Sequence, residues 1–468
     1  MHPTKKYAII NKKRARRFFM SDRKIVLDLF EKQKESVDQK IADGIEKYRK
    51  GDGKIRIVDK NGTAVSDAVI RLNQKTHEFR FGANLFMLDE LETAEKNEKY
   101  KNYFSDVFNM ATLPFYWDSL EPEKGNPRYA KDSKKVYRRP APDLCIEFCE
   151  QHGIEPREHA LAYEAFFPKW LYGADIDVIK RELERRYAEI SERYAEKIPT
   201  IEVTNEMEWA KGKTDFYDDP NYIEWCFKLA EKYFPNNQLV INEHTGLSWG
   251  DRCRVTDKYY AYTEAAMLKG ARIDAIGMQF HLFNRKENEY KATRSTLNPE
   301  NLYKHMDLYS NFKKPLQITE VTVPAYSWEA EDEELQAEII EKLYSVWFSH
   351  PNVEQIVYWN LVDGYAHFWD PDPAKIAASQ GDMTIGENYY YGGLLRFDLS
   401  PKPAYNKIKE LLQERWHTEA TIVTNENGCA DFRGFYGNYD AEIELNGQVL
   451  CKELILKKSG CNEFVIAI

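Results

Sequence analysis

With 468 residues, 43% of them apolar and 14% aromatic, the chain can bury one large core and carry something smaller beside it, which excludes an intrinsically disordered protein. A formal net charge of −10 gives no overall attraction to nucleic acid or to an anionic membrane, and it suits a neutral substrate. Seven cysteines (Cys145, Cys149, Cys226, Cys253, Cys429, Cys451 and Cys461) make neither a disulfide framework nor a CxxC metal pair, and free thiols fit a reducing compartment.

The first twenty residues carry Lys5, Lys6, Lys12, Lys13, Arg14, Arg16 and Arg17. A twin-arginine export signal is suggested by Arg16-Arg17-Phe18-Phe19, but no uninterrupted apolar stretch follows it. A solvated basic tail and a cytoplasmic location are therefore expected. No apolar run of about 18 residues occurs, so no membrane-spanning helix is expected. Ile25, Leu29, Ile41 and Ile45 lie among many charges and predict an amphipathic helical lead-in that ends at Gly51, so residues 1–50 are tail plus lead-in. In Lys54 to Leu72 two alternating runs flank Asn61-Gly62, a strong hairpin signal, and residues 51–78 are expected to form a β-hairpin.

From Phe79 the pattern changes to apolar strand followed by charged helix, repeated. Strands are predicted near Phe79 to Leu85, Val107 to Leu113, Glu155 to Ala162, Thr200 to Asn205, Leu239 to Asn242, Ile273 to Gln279, Leu316 to Thr319 and Gln355 to Trp359. Helices are predicted between them, as at Ala141 to Gln151, Asp177 to Tyr194, Tyr222 to Tyr233, Thr256 to Lys269 and Glu333 to Ser349. Such alternation implies parallel strands, and eight repeats imply an α/β fold of the closed (β/α)8 TIM barrel type over residues 79–416. The loop from Asp363 to Gly393, full of Asp, Pro, Gly and aromatics, is long enough to suggest a functional one. A helix from Pro403 to Arg415 closes the barrel. Residues 417–468 then read as short strands with turns at Asn427-Gly428 and Asn446-Gly447. About fifty residues are marginal alone, so these strands are expected to pack with the early hairpin as a small accessory β-sandwich built from both ends of the chain.

Two strands end on a carboxylate. The run Ile198 to Glu206 (I-P-T-I-E-V-T-N-E) stops at Asn205-Glu206, and Pro315 to Glu320 (P-L-Q-I-T-E) stops at Glu320. The interval between them is about three strand-plus-helix units, which puts both acids at the mouth of the barrel, where barrel enzymes keep their chemistry. Paired carboxyls there suggest glycoside hydrolysis, one protonating the leaving oxygen and the other attacking or activating water.

In order along the chain come F-R-F-G-A-N at 79–84, W-D-S-L-E-P-E-K-G at 117–125, H-A-L-A-Y at 159–163 and P-K-W at 168–170. V-T-N-E at 203–206, I-D-A-I-G-M-Q-F-H-L at 273–282, I-T-E-V at 318–321, Trp359 and P-K-P-A-Y-N at 401–406 follow. Through these motifs the stretch from Phe79 to Leu412 resembles glycoside hydrolase family 10, the retaining β-1,4-xylanase family. The resemblance implies that Glu206 is the general acid/base and Glu320 the nucleophile. It also implies that Asn205 bonds the sugar 2-hydroxyl, that His281 holds Glu320 charged with Gln279 facing the same way, that His159 grips the sugar beside the cleaved bond, and that Trp359 walls that subsite. Neither a cofactor nor a metal is implied, and the partner is a β-linked oligo- or polysaccharide, with no nucleic acid and no membrane.

The chain also departs from the family pattern. Thr112 to Tyr116 stands where the family usually has a Glu-Asn pair and a Lys that bond sugars on the non-reducing side, and Tyr163 stands for the usual tryptophan. Tyr116 and Tyr163 are therefore expected at a rebuilt glycone subsite. An endo-1,4-β-xylanase-like activity is the expectation. The alternatives are an exo-acting or aglycone-specific enzyme on a non-xylan β-glycoside, and a non-catalytic carbohydrate-binding barrel.

Overall fold

The structure, a computed structural model, describes residues 23–468 except 210, 211, 247 and 369–371. The basic tail and Trp369 of the long loop lie outside the described residues.

Strands β1 (Lys50–Val58) and β2 (Val69–His77) precede eight barrel strands. These are β3 (Arg80–Asn84), β4 (Met110–Pro114), β5 (Glu155–His159), β6 (Thr200–Asn205), β7 (Gln238–His244), β8 (Ala275–His281), β9 (Leu316–Thr322) and β10 (Val353–Tyr358). Every neighbouring pair is parallel, and β10 pairs with both β9 and β3, so the barrel is closed. Burial on both faces explains why β4, β6 and β9 read as near-continuous buried runs rather than alternating ones. All eight predicted strands form, and the last two residues of β7, β8 and β9 lie beyond the predicted ends. Those extensions alternate between core residues, Phe280 and Val321, and the polar Glu243, His244, His281 and Thr322, which break the apolar pattern.

The sandwich forms from both chain ends, but the expected hairpin does not. β1 pairs antiparallel with β12 (Cys429–Phe435) and parallel with β15 (Glu463–Ala467), whereas β2 lies between β11 (Glu419–Val423) and β13 (Gly437–Leu445), with β14 (Gln448–Leu456) outside. The turn at Asn61-Gly62 does form, with Gly62 at φ 81°, yet it hands the chain from one sheet to the other. Ile55, Ile57, Ile70, Leu72, Phe432, Tyr439, Ile443 and Leu456 fill the space between the sheets. A paired β1–β2 hairpin would remove this two-faced core.

The lead-in is joined to the barrel rather than separate from it. Its helix Lys34–Tyr48 packs on the helix Ala330–Ser349, and a Cβ on Gly44 would fall 2.4 Å from the Ser349 carbonyl oxygen, so only glycine permits that approach. Buried Arg49 donates to the carbonyls of Phe348, His350 and Val353. All seven cysteines are free thiols. Among the described residues no helix is long and apolar enough to cross a membrane.

Candidate active site

The carboxyl ends of β6, β8 and β9 bring Glu206, His281 and Glu320 together. Glu206 follows β6 with φ 50°, a left-handed backbone that costs a non-glycine residue about 1 to 3 kcal/mol and is tolerated where neighbours fix it. Its amide donates to the Asn242 carbonyl at 3.2 Å. Its carboxylate accepts from the Tyr163 hydroxyl at 2.6 Å on Oε2 and from Gln279 Nε2 at 3.3 Å on Oε1. Burial first, then the Glu206 charge, push the Tyr163 phenol far up, so it stays a donor.

Glu320, 4% exposed, accepts from Asn242 Nδ2 at 3.3 Å and lies 3.3 Å from His281 Nε2. Register explains the second contact: Gln279 faces Glu320 and His281 faces Thr322 across β8 and β9. His281 Nδ1 lies 2.9 Å from the Thr322 hydroxyl. Burial depresses His281 to about 4, so the ring is neutral near neutrality. With the Thr322 hydroxyl donating to Nδ1, the ring proton sits on Nε2 and points at Glu320. The contact is a hydrogen bond between a neutral ring and a carboxylate, not an ion pair.

The surroundings of Glu320 pull its carboxyl in opposite directions. Burial pushes its carboxyl well above the ordinary 4.5; His159 opposes this, while the Glu206 and Glu202 charges reinforce it. A nucleophile needs the ionised form, which the donors Asn242 and His281 and the more distant Arg157 and His159 favour.

Asn242, at the centre of this group, is a residue that the sequence reading placed in a strand and gave no role. Its Nδ2 faces Glu202 Oε1 at 3.2 Å, Asn205 Oδ1 at 3.0 Å and Glu320 Oε1 at 3.3 Å, while its Oδ1 accepts from the Thr319 hydroxyl at 2.6 Å. Gly277 makes the room, because a Cβ there would fall 2.5 Å from Asn242 Oδ1. Asn205 Oδ1 also accepts from Gln279 Nε2 at 3.1 Å, and the two donors on the oxygen leave Asn205 Nδ2 free to meet a sugar hydroxyl. Gln279 itself is fully buried and orients Asn205 and Glu206 rather than lining open space.

His159 is placed differently from a residue that grips sugar unaided. It is 1% exposed, its Nδ1 lies 2.8 Å from Glu202 Oε1, and its Nε2 lies 2.9 Å from the Tyr116 hydroxyl. Burial pushes Glu202 up, but His159 and the buried Arg157 ion pair outweigh it and hold the carboxyl low. Trp359 forms a wall at the end of β10, its ring edge-on to Phe86 at 5.1 Å and to His159 at 5.5 Å. Phe86, Tyr116 and Trp359 make one buried aromatic group, flanked by Tyr163 and Phe166. On the other side, beyond β7 and β8, a cavity of about 780 Å³ is lined by His244, Thr245, Tyr259, His281 and Phe283 among others. His244, His281 and Phe283 stack there with centroids 5.9 and 4.6 Å apart.

In the long loop, Tyr365 stacks on Phe397 at 5.0 Å and Tyr390 packs on Phe283 at 4.9 Å. Lys402 ties the two ends of the loop, its ammonium reaching Asp363 at 3.0 Å and donating to the Tyr391 and Gly393 carbonyls.

The family model for glycosyl hydrolase family 10 matches residues 74–411. The chain belongs to glycosyl hydrolase family 10. Curated relatives include anti-sigma-I factor RsgI6 of Acetivibrio thermocellus, 25% identical over 413 residues that cover 86% of this chain and 46% of that protein. Endo-1,4-beta-xylanase 2 of Arabidopsis thaliana is 23% identical over 402 residues, covering 85% and 32%. This family 10 chain thus spans less than half the length of either. Solved structures similar to it include native xylanase 10B from Thermotoga maritima, with TM-score 0.56, 20% identity and coverage of 72% of this chain and 96% of that one. Xylanase 10B from Thermotoga petrophila RKU-1 in complex with xylobiose has TM-score 0.55, 20% identity and coverage of 72% and 95%. These structural likenesses show the barrel fold.

Proposed function

We propose that this family 10 chain is a retaining β-glycoside hydrolase, endo-1,4-β-xylanase-like, that cleaves xylan or xylo-oligosaccharides by double displacement. The carrying observation is that Glu206 and Glu320 belong to one hydrogen-bonded network through Gln279, Asn205 and Asn242. Glu206 gives its proton to the glycosidic oxygen as the Glu320 carboxylate attacks the anomeric carbon and the carbon–oxygen bond breaks. Glu206, now a carboxylate, takes a proton from water, whose oxygen displaces Glu320 and restores both acids. Asn205 Nδ2 meets the 2-hydroxyl, and Trp359 offers a flat face to the ring.

A 2-deoxy-2-fluoro xylobioside carrying a good leaving group tests this. Mass spectrometry of the trapped protein should find the sugar on Glu320, and product analysis by NMR should find retained configuration. Inversion, or a label on any other residue, overturns the reading.

One observation favours an exo-acting alternative. The loop after β10 packs on the glycone side, where the Tyr137 hydroxyl and Arg138 bond the Ala366 and Tyr365 carbonyls and His367 meets Phe166. Release of single sugar units from a xylo-oligosaccharide ladder would select it, whereas mixed internal products select endo action.

A further inference from the structure

Two arginines stand at the glycone end with no acidic partner. Arg139 is 7% exposed and Arg138 3%, and among the described residues no carboxylate lies within ion-pair distance of either. Among the described residues the Arg139 side chain makes one protein hydrogen bond, from Nη1 to the Arg138 carbonyl at 2.8 Å. Arg138 uses Nη1 on the Tyr365 carbonyl, while its buried Nε has no partner. Burying a cation without an ion-pair partner is costly, and two side by side also repel. Burial depresses Arg139 to about 10, which leaves it charged at neutrality.

Their location joins them to the active site. The Arg139 guanidinium carbon lies 3.9 Å from the Tyr116 ring centre, 5.1 Å from Phe166 and 5.3 Å from Phe86. Tyr116 bonds His159, and Tyr163, a centroid distance of 5.9 Å from Tyr116, bonds Glu206. The aromatic faces hold the guanidinium plane, and among the described residues the Nε and Nη2 edge of Arg139 has no protein acceptor, a fork that matches a carboxylate. Asp118 acts on Arg139 only at longer range, and burial pushes its own carboxyl up. The charge stands beside Thr112 to Tyr116, where the family pattern has instead a Glu-Asn pair and a Lys.

We propose that Arg139, backed by Arg138, binds the carboxylate of a uronic acid at the glycone subsite, so that the preferred substrate is an acidic β-glycan. The inference rests on the glycosidase reading. The acid is either the glycone ring itself or a side group on a xylose. A neutral sugar would leave both cations unpaired, whereas a sugar carboxylate accepts from the free edge of Arg139 and offsets the pair.

Calorimetry on the full chain carrying Glu320→Gln, which binds without turnover, tests this. The probes are a xylo-oligosaccharide with a glucuronic acid side group, a β-1,4-linked glucuronic acid trimer, and the carboxyl-reduced twin of each. At least one acid should bind about tenfold or more tightly than its twin, the size expected for a charge-assisted bidentate contact. The preferred acid identifies the source, and Arg139→Gln in the same background should abolish the preference. Equal binding of acid and twin in both pairs, or no binding of either acid, overturns the proposal even if Arg139→Gln does not fold. Turnover of neutral xylo-oligosaccharides without an acid preference sinks this inference alone; an acid preference without turnover by the unmutated chain sinks the glycosidase reading alone.

Discussion

Asn242 Nδ2 lies 3.3 Å from Glu320 Oε1 and 3.0 Å from Asn205 Oδ1, so one amide ties the nucleophile of the proposed reaction to the side chain beside its acid. Removing it leaves the buried Glu320 with one direct donor, His281, among the described residues. Asn242→Ala is expected to lower kcat/KM on a xylo-oligosaccharide on the order of a hundredfold, as loss of one oriented donor does. Gly277→Ala should act in the same direction, since its Cβ collides with Asn242 Oδ1 at 2.5 Å. Full activity in both variants would remove Asn242 from the mechanism.

The Glu320 carboxyl is pushed above its ordinary 4.5 mainly by burial, so its ionised, attacking form accumulates only as pH rises through that higher value. Activity therefore falls on the acid side at a pH above the usual carboxylate range, and kcat/KM against pH should show an acid limb above about 4.5. In Asn242→Ala the limb moves higher still, because a donor to the charged form is gone. An acid limb below 4 in the unmutated protein contradicts this.

Thr322 fixes the tautomer of His281 through the 2.9 Å contact with Nδ1. Thr322→Val keeps the shape and removes the hydroxyl, so the ring proton is free to leave Nε2. A loss of about five- to tenfold in kcat, with little change in melting temperature, is expected for one hydrogen bond of about 1 kcal/mol. Unchanged kcat would show that Thr322 does not orient the ring.

Lys402 and Asp363 form a buried pair with 0% and 2% side-chain exposure, and Lys402 also donates to the Tyr391 and Gly393 carbonyls. Lys402→Met strands a buried carboxylate and should cost about 3 to 5 kcal/mol by denaturant unfolding. Adding Asp363→Leu to Lys402→Met should recover part of that loss, because the second change removes the orphaned charge. No recovery would mean that the lysine acts through its carbonyl contacts instead.

The barrel was legible because its strands are short apolar runs punctuated by charged helices; Glu206 directly follows one such strand, and Glu320 lies near the carboxyl end of β9. Asn242 also ends a predicted strand, in I-N-E-H, yet a polar residue at a strand end says nothing of its three acceptors until the neighbouring strands are in register. Arg157 and Glu202 were hidden for a related reason: charged letters inside β5 and β6 break the apolar pattern, and only the closed barrel pairs them. Arg138 and Arg139 lie outside any periodic element. The hairpin expectation failed because Asn61-Gly62 specifies a tight turn but not which sheet receives each flanking strand; burial on both sides of the sandwich decides that.

Strand β1 is bounded on both sides by β12 and β15, segments from the far end of the chain. At roughly 5 to 20 residues per second of synthesis, its ladder partners emerge tens of seconds after it does. For that interval its backbone donors and acceptors are open to any other extended polypeptide, and the barrel between gains its last strand, β10, only shortly before β12. The order of manufacture thus makes the accessory sandwich the last part to close, and chains held up late in translation the ones most exposed to edge-to-edge aggregation.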